Sequence, residues 1–177
     1  MDSHRRLTLL RHAEAQAPDP HREDRERALT RRGIRDAEVI ARRLLARGWV
    51  ADLVVTSTAT RTRQTADLLA RVLALPRARL VADERLYEAD PATIWRVACE
   101  RGAEVRHLLI CAHNPGSSEL ASRFGPVPQR RRLGTAAFAS ALFEAPDWAS
   151  VAPEEAIACV CDDPAAESPA DRRSAQL

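Results

Sequence analysis

Three short apolar runs, LTLL at 7–10, a strand at 52–56 within DLVVTS, and HLLICA at 107–112, are separated by stretches with helical spacing. A buried strand followed by a helix long enough to carry the chain back makes a parallel crossover. This alternation therefore confines the fold to an α/β sheet with helices on both faces. Thr30 reads as the N-cap of a helix in which Ile34, Ala37, Ile40, Ala41, Leu44 and Leu45 recur every three or four residues until Gly48. Ser57 or Thr58 reads as the cap of a second helix, with Ala66, Leu69, Val72 and Leu73 as its buried stripe before Pro76. A short strand is expected at 79–82. Asp90-Pro91 opens a third helix carrying Ile94, Val97 and Ala98 as far as Gly102, and Asn114-Pro115 caps a fourth, GSSELASRF, stopped at Gly125-Pro126. AAFASALFE and EAIACVC add strands at the sheet edge. The expectation is a three-layer α/β/α sandwich with a mainly parallel sheet, one domain over residues 1–161. From Asp162 the chain is polar, rich in Pro and Ala and without periodicity, so residues 162–177 are expected to be a disordered tail.

Composition narrows the function classes. Residues are 45% hydrophobic but only 4% aromatic, so the core should be built from Leu, Val, Ile and Ala with little ring stacking. All 27 basic residues are arginine, set against 25 acidic ones and interleaved with them in HREDRERALTRR. With few aromatic rings to stack on bases, that mixture argues against a nucleic-acid partner, but it leaves room for a local anion site. Cys99, Cys111, Cys159 and Cys161 lack metal-ligand spacing and read as four buried thiols in a reducing compartment. No run approaches the ~20 apolar residues of a membrane span, and the N-terminal one is too short for a signal peptide. A cytoplasmic protein with no membrane partner is expected.

In such sheets ligands sit beyond the carboxyl ends of the strands. Arg11 and His12 follow the first strand, Ser57 and Arg61 the second, His113 and Asn114 the fourth. With arginine so frequent, any one arginine carries little information. There are only five histidines in 177 residues, and two of them at strand ends is a sharper signal. Helix N-termini offer unpaired N–H groups, and guanidinium forks match phosphate oxygens, so a phosphorylated ligand fits this region.

Four stretches, LLRHAEA (9–15), RALTRRG (27–33), TSTATRTRQTA (56–66) and LICAHNPG (109–116), together resemble the histidine phosphatases, and among them the small phosphohistidine phosphatases of the SixA type. The resemblance spans residues 7–125 and implies the phosphoglycerate-mutase-like form of the sandwich. It implies that His12 is a nucleophile taking the phosphoryl group, that Arg11, Arg27, Arg61 and His113 surround its oxygens with Asn114 beside them, and that neither a cofactor nor a metal is needed. Without the resemblance, Arg27 reads as a solvated charge. Ala13 stands where the family most often has glycine, and its methyl group could crowd the pocket or forbid a positive φ. The family's proton donor is a carboxylate between the second and fourth strands. Here Glu84, Glu88 and Asp90 are available; Asp90 is a helix cap, Glu84 reads as surface, and Glu88 in RLYE matches the family position. The substrate implied is phosphohistidine in a partner protein or a small phosphorylated molecule. A binding module that has lost turnover is the reading from another class, and a mutase, which must shield its phosphoenzyme from water, is disfavoured by the short chain.

Overall fold

A computed structural model describes residues 4–125, 129 and 131–166. In chain order the elements are β1 (His4–Arg11), α1 (Arg31–Ala46), β2 (Leu53–Thr56), α2 (Thr60–Val72), β3 (Leu80–Ala82), α3 (Pro91–Arg101), β4 (His107–Ala112), α4 (Gly116–Ser122), β5 (Phe138–Glu144) and β6 (Ala158–Asp162). The sheet order is β3-β2-β4-β1-β5-β6. The first four strands in that order run parallel, and β5 and β6 are antiparallel additions. A strand covered on both faces buries nearly every side chain: all six residues of β4 are buried, five of them apolar, and the sixth, His107, pairs with the Thr8 hydroxyl.

Alternation along β1 sends Leu7 and Leu9 to one face and Leu10 to the other. Leu7 and Leu9 pack with Ile94 of α3 and Leu120 of α4; Leu10 packs with Ile40 and Leu44 of α1 and Leu69 of α2. Each such fully buried side chain contributes roughly 1.5–3 kcal/mol. The chain leaves β1 for α1 on one face and leaves β4 for α4 on the other. The carboxyl ends of these two neighbouring strands therefore open a crevice at the point where the winding reverses.

Several local expectations change. The hydroxyl of Thr30 accepts from Gly33 N at 3.0 Å and does cap α1, which ends before Gly48 in the left-handed region at φ 68°. Ile34 and Leu45 of its expected stripe are 41% and 46% exposed, because the buried face is centred on Ala37, Ile40, Ala41 and Leu44. Neither Ser57 nor Thr58 caps α2; Ala59 holds the N-cap position, and the Ser57 hydroxyl is engaged elsewhere. Asp90 caps α3 as expected. Pro115 rather than Asn114 holds the N-cap position of α4, and the peptide bond between them is cis.

The scarce aromatic residues are concentrated rather than absent from the core. Trp95, Phe124, Phe143 and Trp148 form a tilted and edge-on cluster with centroids 5.8–6.4 Å apart on the face covered by α3 and α4. Only Cys111 is buried; Cys99 and Cys159 are half-buried and Cys161, on the outer strand, is exposed. The polar tail does not begin at Asp162. That residue closes β6, and its carboxylate takes ion pairs from Arg43 (2.7 Å) and Arg47 (2.6 Å) on α1. Arg43 also donates to the carbonyls of Asp163 and Ala166. Residues 167–177 of the expected tail lie outside the described residues. Among the described residues no helix is long and apolar enough to cross a membrane.

Candidate active site

Two glycines fix the loops that bear the functional groups. A Cβ on Gly33 would lie 2.1 Å from the Glu14 carbonyl oxygen, so the segment after His12 can press against the start of α1 only if residue 33 has no side chain. Thr30 tightens the same junction, donating from its hydroxyl to Glu14 Oε1 at 2.8 Å. A Cβ on Gly116 would lie 2.0 Å from the Ala89 carbonyl oxygen, which ties the Tyr87–Ala89 segment to the start of α4.

His12 sits one residue beyond β1. Its N–H donates to Ala112 O of β4 and its carbonyl accepts from Ala136 N, both at 3.1 Å. Its Nδ1 lies 2.8 Å from the Ala13 carbonyl, which can only accept, so Nδ1 carries the proton and Nε2 holds a free lone pair. Burial, opposed by the Ala13 bond and reinforced by Arg61, Arg11 and Arg27, lowers the imidazole to about 4. Ala13 is fully buried against α1 and α2 and is not at positive φ. Its N–H donates to Thr65 Oγ1, and with its side chain in the core cluster beside Ala37 and Ala66 the methyl group is packed inward, not left to crowd the crevice.

His113 faces His12, with ring centroids 5.2 Å apart. An arginine N–H can only donate, so the 3.4 Å approach of Arg61 Nη2 makes His113 Nδ1 the acceptor. His113 Nε2 then carries the proton and donates to Ser57 Oγ at 2.9 Å. Burial, then the neighbouring His12 and Arg61, lower this ring to about 3. The Tyr87 ring meets His113 edge-on at 5.4 Å.

Arg61 is 4% exposed on the first turn of α2. Its Nη1 donates to the Asp24 carbonyl (2.6 Å) and its Nη2 to Asp24 Oδ2 (2.8 Å). Arg27 is not a solvated charge: Nε donates to Gln16 O and Nη1 to Asp24 Oδ1, each at 2.7 Å. Arg11 donates from Nη1 to the Leu133 carbonyl, while its buried Nε has no partner among the described residues. Burial and the charge of Arg132 lower its pKa. His12, His113, Arg61, Arg27 and Arg11 are thus brought together.

The other two expected residues make no side-chain hydrogen bond to those five among the described residues. Asn114 donates to the same Leu133 carbonyl (2.9 Å) and accepts from Ser118 Oγ, which braces the loop after β4. Glu88 is exposed and adopts a left-handed φ of 50°. Sequence reasoning missed Asp24 and Tyr87 altogether. The Tyr87 hydroxyl donates to Asp24 Oδ2 at 3.0 Å. Burial opposes the charge on Asp24, but bonds from Arg27, Arg61 and Tyr87 outweigh it and hold the carboxyl down at about 2. The only sequence signal for it was position, three residues before Arg27.

A model of the histidine phosphatase superfamily (branch 1) matches residues 7–96, just over half of the chain. The chain belongs to the histidine phosphatase superfamily. An uncharacterized protein of Mycobacterium tuberculosis is 40% identical over 112 residues, 63% of this chain and 67% of its own. The solved structure of a proposed phosphohistidine phosphatase SixA from Nakamurella multipartitia matches with a TM-score of 0.75 at 26% identity, over 92% of this chain and 98% of that one. Another from Agrobacterium tumefaciens matches with a TM-score of 0.69 at 26% identity, over 77% and 90%. This histidine phosphatase has the SixA-type, phosphoglycerate-mutase-like fold, and its activity is that of a phosphatase.

Proposed function

We propose that this histidine phosphatase removes the phosphoryl group from a phosphohistidine in a partner protein, passing it through a covalent phosphohistidine on His12. The observation that carries the reading is the tautomer of His12. With Nδ1–H fixed on the Ala13 carbonyl, Nε2 is an unprotonated nucleophile among three guanidinium groups and a second neutral imidazole. Nε2 forms a bond to phosphorus as the bond to the substrate imidazole breaks, and the departing nitrogen takes a proton. Water then attacks the phosphorylated His12, releasing inorganic phosphate and restoring the neutral ring. The transition state spreads negative charge over three equatorial oxygens, so guanidinium donors on Arg11, Arg27 and Arg61 lower the barrier by electrostatics and position, with the neutral His113 ring lining the site beside His12. The proposed route uses no metal ion.

A protein substrate is supported by the shortness of the chain around the crevice. Only Asp83–Asp90 separates β3 from α3, which is too little to build a lid. The second reading, a small phosphate monoester, is favoured by Glu88. It follows Tyr87, whose ring meets His113, and it would protonate an alkoxide leaving group that needs more help than an imidazole. The test compares hydrolysis of a phosphohistidine domain with that of simple monoesters, in wild type and Glu88→Gln. Faster turnover of the phosphohistidine domain, unaffected by Glu88→Gln, is expected. Preference for monoesters with a large loss in Glu88→Gln would replace the first reading with the second.

A further inference from the structure

We propose that Asp24 is a built-in competitor of the phosphoryl group, its carboxylate holding the donor positions on Arg27 and Arg61 that phosphate oxygens take when the site is filled. The inference rests on the phosphatase reading of this crevice and adds a residue that sets how tightly phosphate is held.

The carboxylate is placed as a small oxyanion would be. Oδ1 accepts from Arg27 Nη1 at 2.7 Å, and Oδ2 accepts from Arg61 Nη2 at 2.8 Å and from the Tyr87 hydroxyl at 3.0 Å. Guanidinium forks bind carboxylate and phosphate with the same planar pairs of N–H donors, so the two anions compete for one set of hydrogens. Arg61 has little room to withdraw and settle that competition, since its side chain is 5% exposed and its Nη1 is also held by the Asp24 main-chain carbonyl. Asp24 can withdraw. It lies on the three-residue 3-10 turn Asp24–Glu26, which buries no side chain, and its own side chain is 40% exposed. Swinging it outward uncovers no core. It also leaves Arg61 one partner, because Nη1 is held at 2.6 Å by the main-chain carbonyl of Asp24 rather than by the carboxylate.

The arrangement answers a problem that a strongly cationic pocket creates. Three arginines around a phosphate dianion favour the product as well as the transition state, and an enzyme gains nothing from binding both equally. A resident carboxylate that returns to Arg27 and Arg61 as inorganic phosphate leaves raises the free energy of the product complex and speeds its release.

Asp24→Asn keeps the size of the side chain, one acceptor oxygen and the main-chain carbonyl, and removes the charge. Calorimetric titration with inorganic phosphate is expected to give a dissociation constant lower by about tenfold or more than wild type, a step equivalent to about 1.4 kcal/mol. KM for the phosphorylated substrate should fall with it. Asp24→Glu, which keeps the charge, should bind phosphate no more tightly than wild type. Unchanged or weaker phosphate binding in a folded Asp24→Asn protein, checked by circular dichroism, would overturn the proposal and make Asp24 a scaffold for the two arginines. Equal tightening in Asp24→Glu would overturn it too. Phosphate binding needs no turnover, so a protein that binds phosphate but hydrolyses nothing would fail the functional reading without touching this one.

Discussion

Lowering the pH tests whether His12 is held as a neutral nucleophile before substrate arrives. Burial and three nearby guanidinium groups destabilise the imidazolium, so the ring titrates near 4 instead of 6.5. The neutral form therefore persists at pH values where a solvent-exposed imidazole is charged. At about pH 5 a group titrating near 4 is about nine-tenths neutral, whereas one titrating at 6.5 is about 3% neutral, a difference of about thirtyfold in competent enzyme. Two measurements separate this effect from ionisation of the substrate. Single-turnover phosphorylation of His12 gives the acid limb of the rate, and NMR titration of histidine ring resonances, assigned with His12→Asn, gives the pKa of the free enzyme. A midpoint near 4 in the folded protein is expected. A His12 resonance titrating at or above about 6 would refute the argument, since burial and the arginine charges would then be failing to exclude the proton.

Arg61→Ala removes the most deeply buried guanidinium of the site and the donor to His113; a loss of on the order of 10²–10³ in rate is expected, read as kcat/KM on a phosphohistidine domain. Ser57→Ala deletes the acceptor that fixes the Nε2–H tautomer of His113, and a roughly fivefold fall in kcat should follow, in line with about 1 kcal/mol for one buried hydrogen bond. Gly33→Ala and Gly116→Ala force a methyl group against main-chain carbonyls at 2.1 and 2.0 Å, so calorimetry should show each melting several degrees lower, at about 2–4 °C per kcal/mol. His12, His107 and His113 all titrate below the unfolded value of 6.5. The unfolded chain takes up protons first, so stability is full above 6.5 and declines as the pH falls toward 4, measurable as a falling urea midpoint over that window.

The elements that carry the site were legible because their signals are local. LTLL and HLLICA read as buried strands, Thr30 and Asp90-Pro91 as helix starts, and the residues next to strand ends as the place to seek chemistry. Ser57 was misread for an instructive reason. A serine before a helix satisfies the capping pattern, yet its hydroxyl is claimed by His113, 56 residues away, and only the sheet order brings them together. Asp24 was illegible on the same ground: in HREDRERALTRR it is one acid among several, and its partners Arg61 and Tyr87 arrive from α2 and the turn before α3. The low aromatic content hid the Trp95, Phe124, Phe143 and Trp148 cluster, because composition averages over a chain in which four of the seven aromatic rings meet on one face. Ile34 and Leu45 fit the helical period but fall at the rim of the stripe, which periodicity alone does not resolve.

The covalent step proposed for His12 can be tested directly. The protein is incubated with phosphoramidate or a phosphorylated histidine domain and quenched in base, and its peptides are mapped by mass spectrometry. The result predicted is an acid-labile phosphoryl group on His12, retained in Arg61→Ala at lower yield and absent from His12→Asn. Phosphate release that proceeds with no label on His12, or that survives in His12→Asn, would contradict the assignment of His12 as the nucleophile.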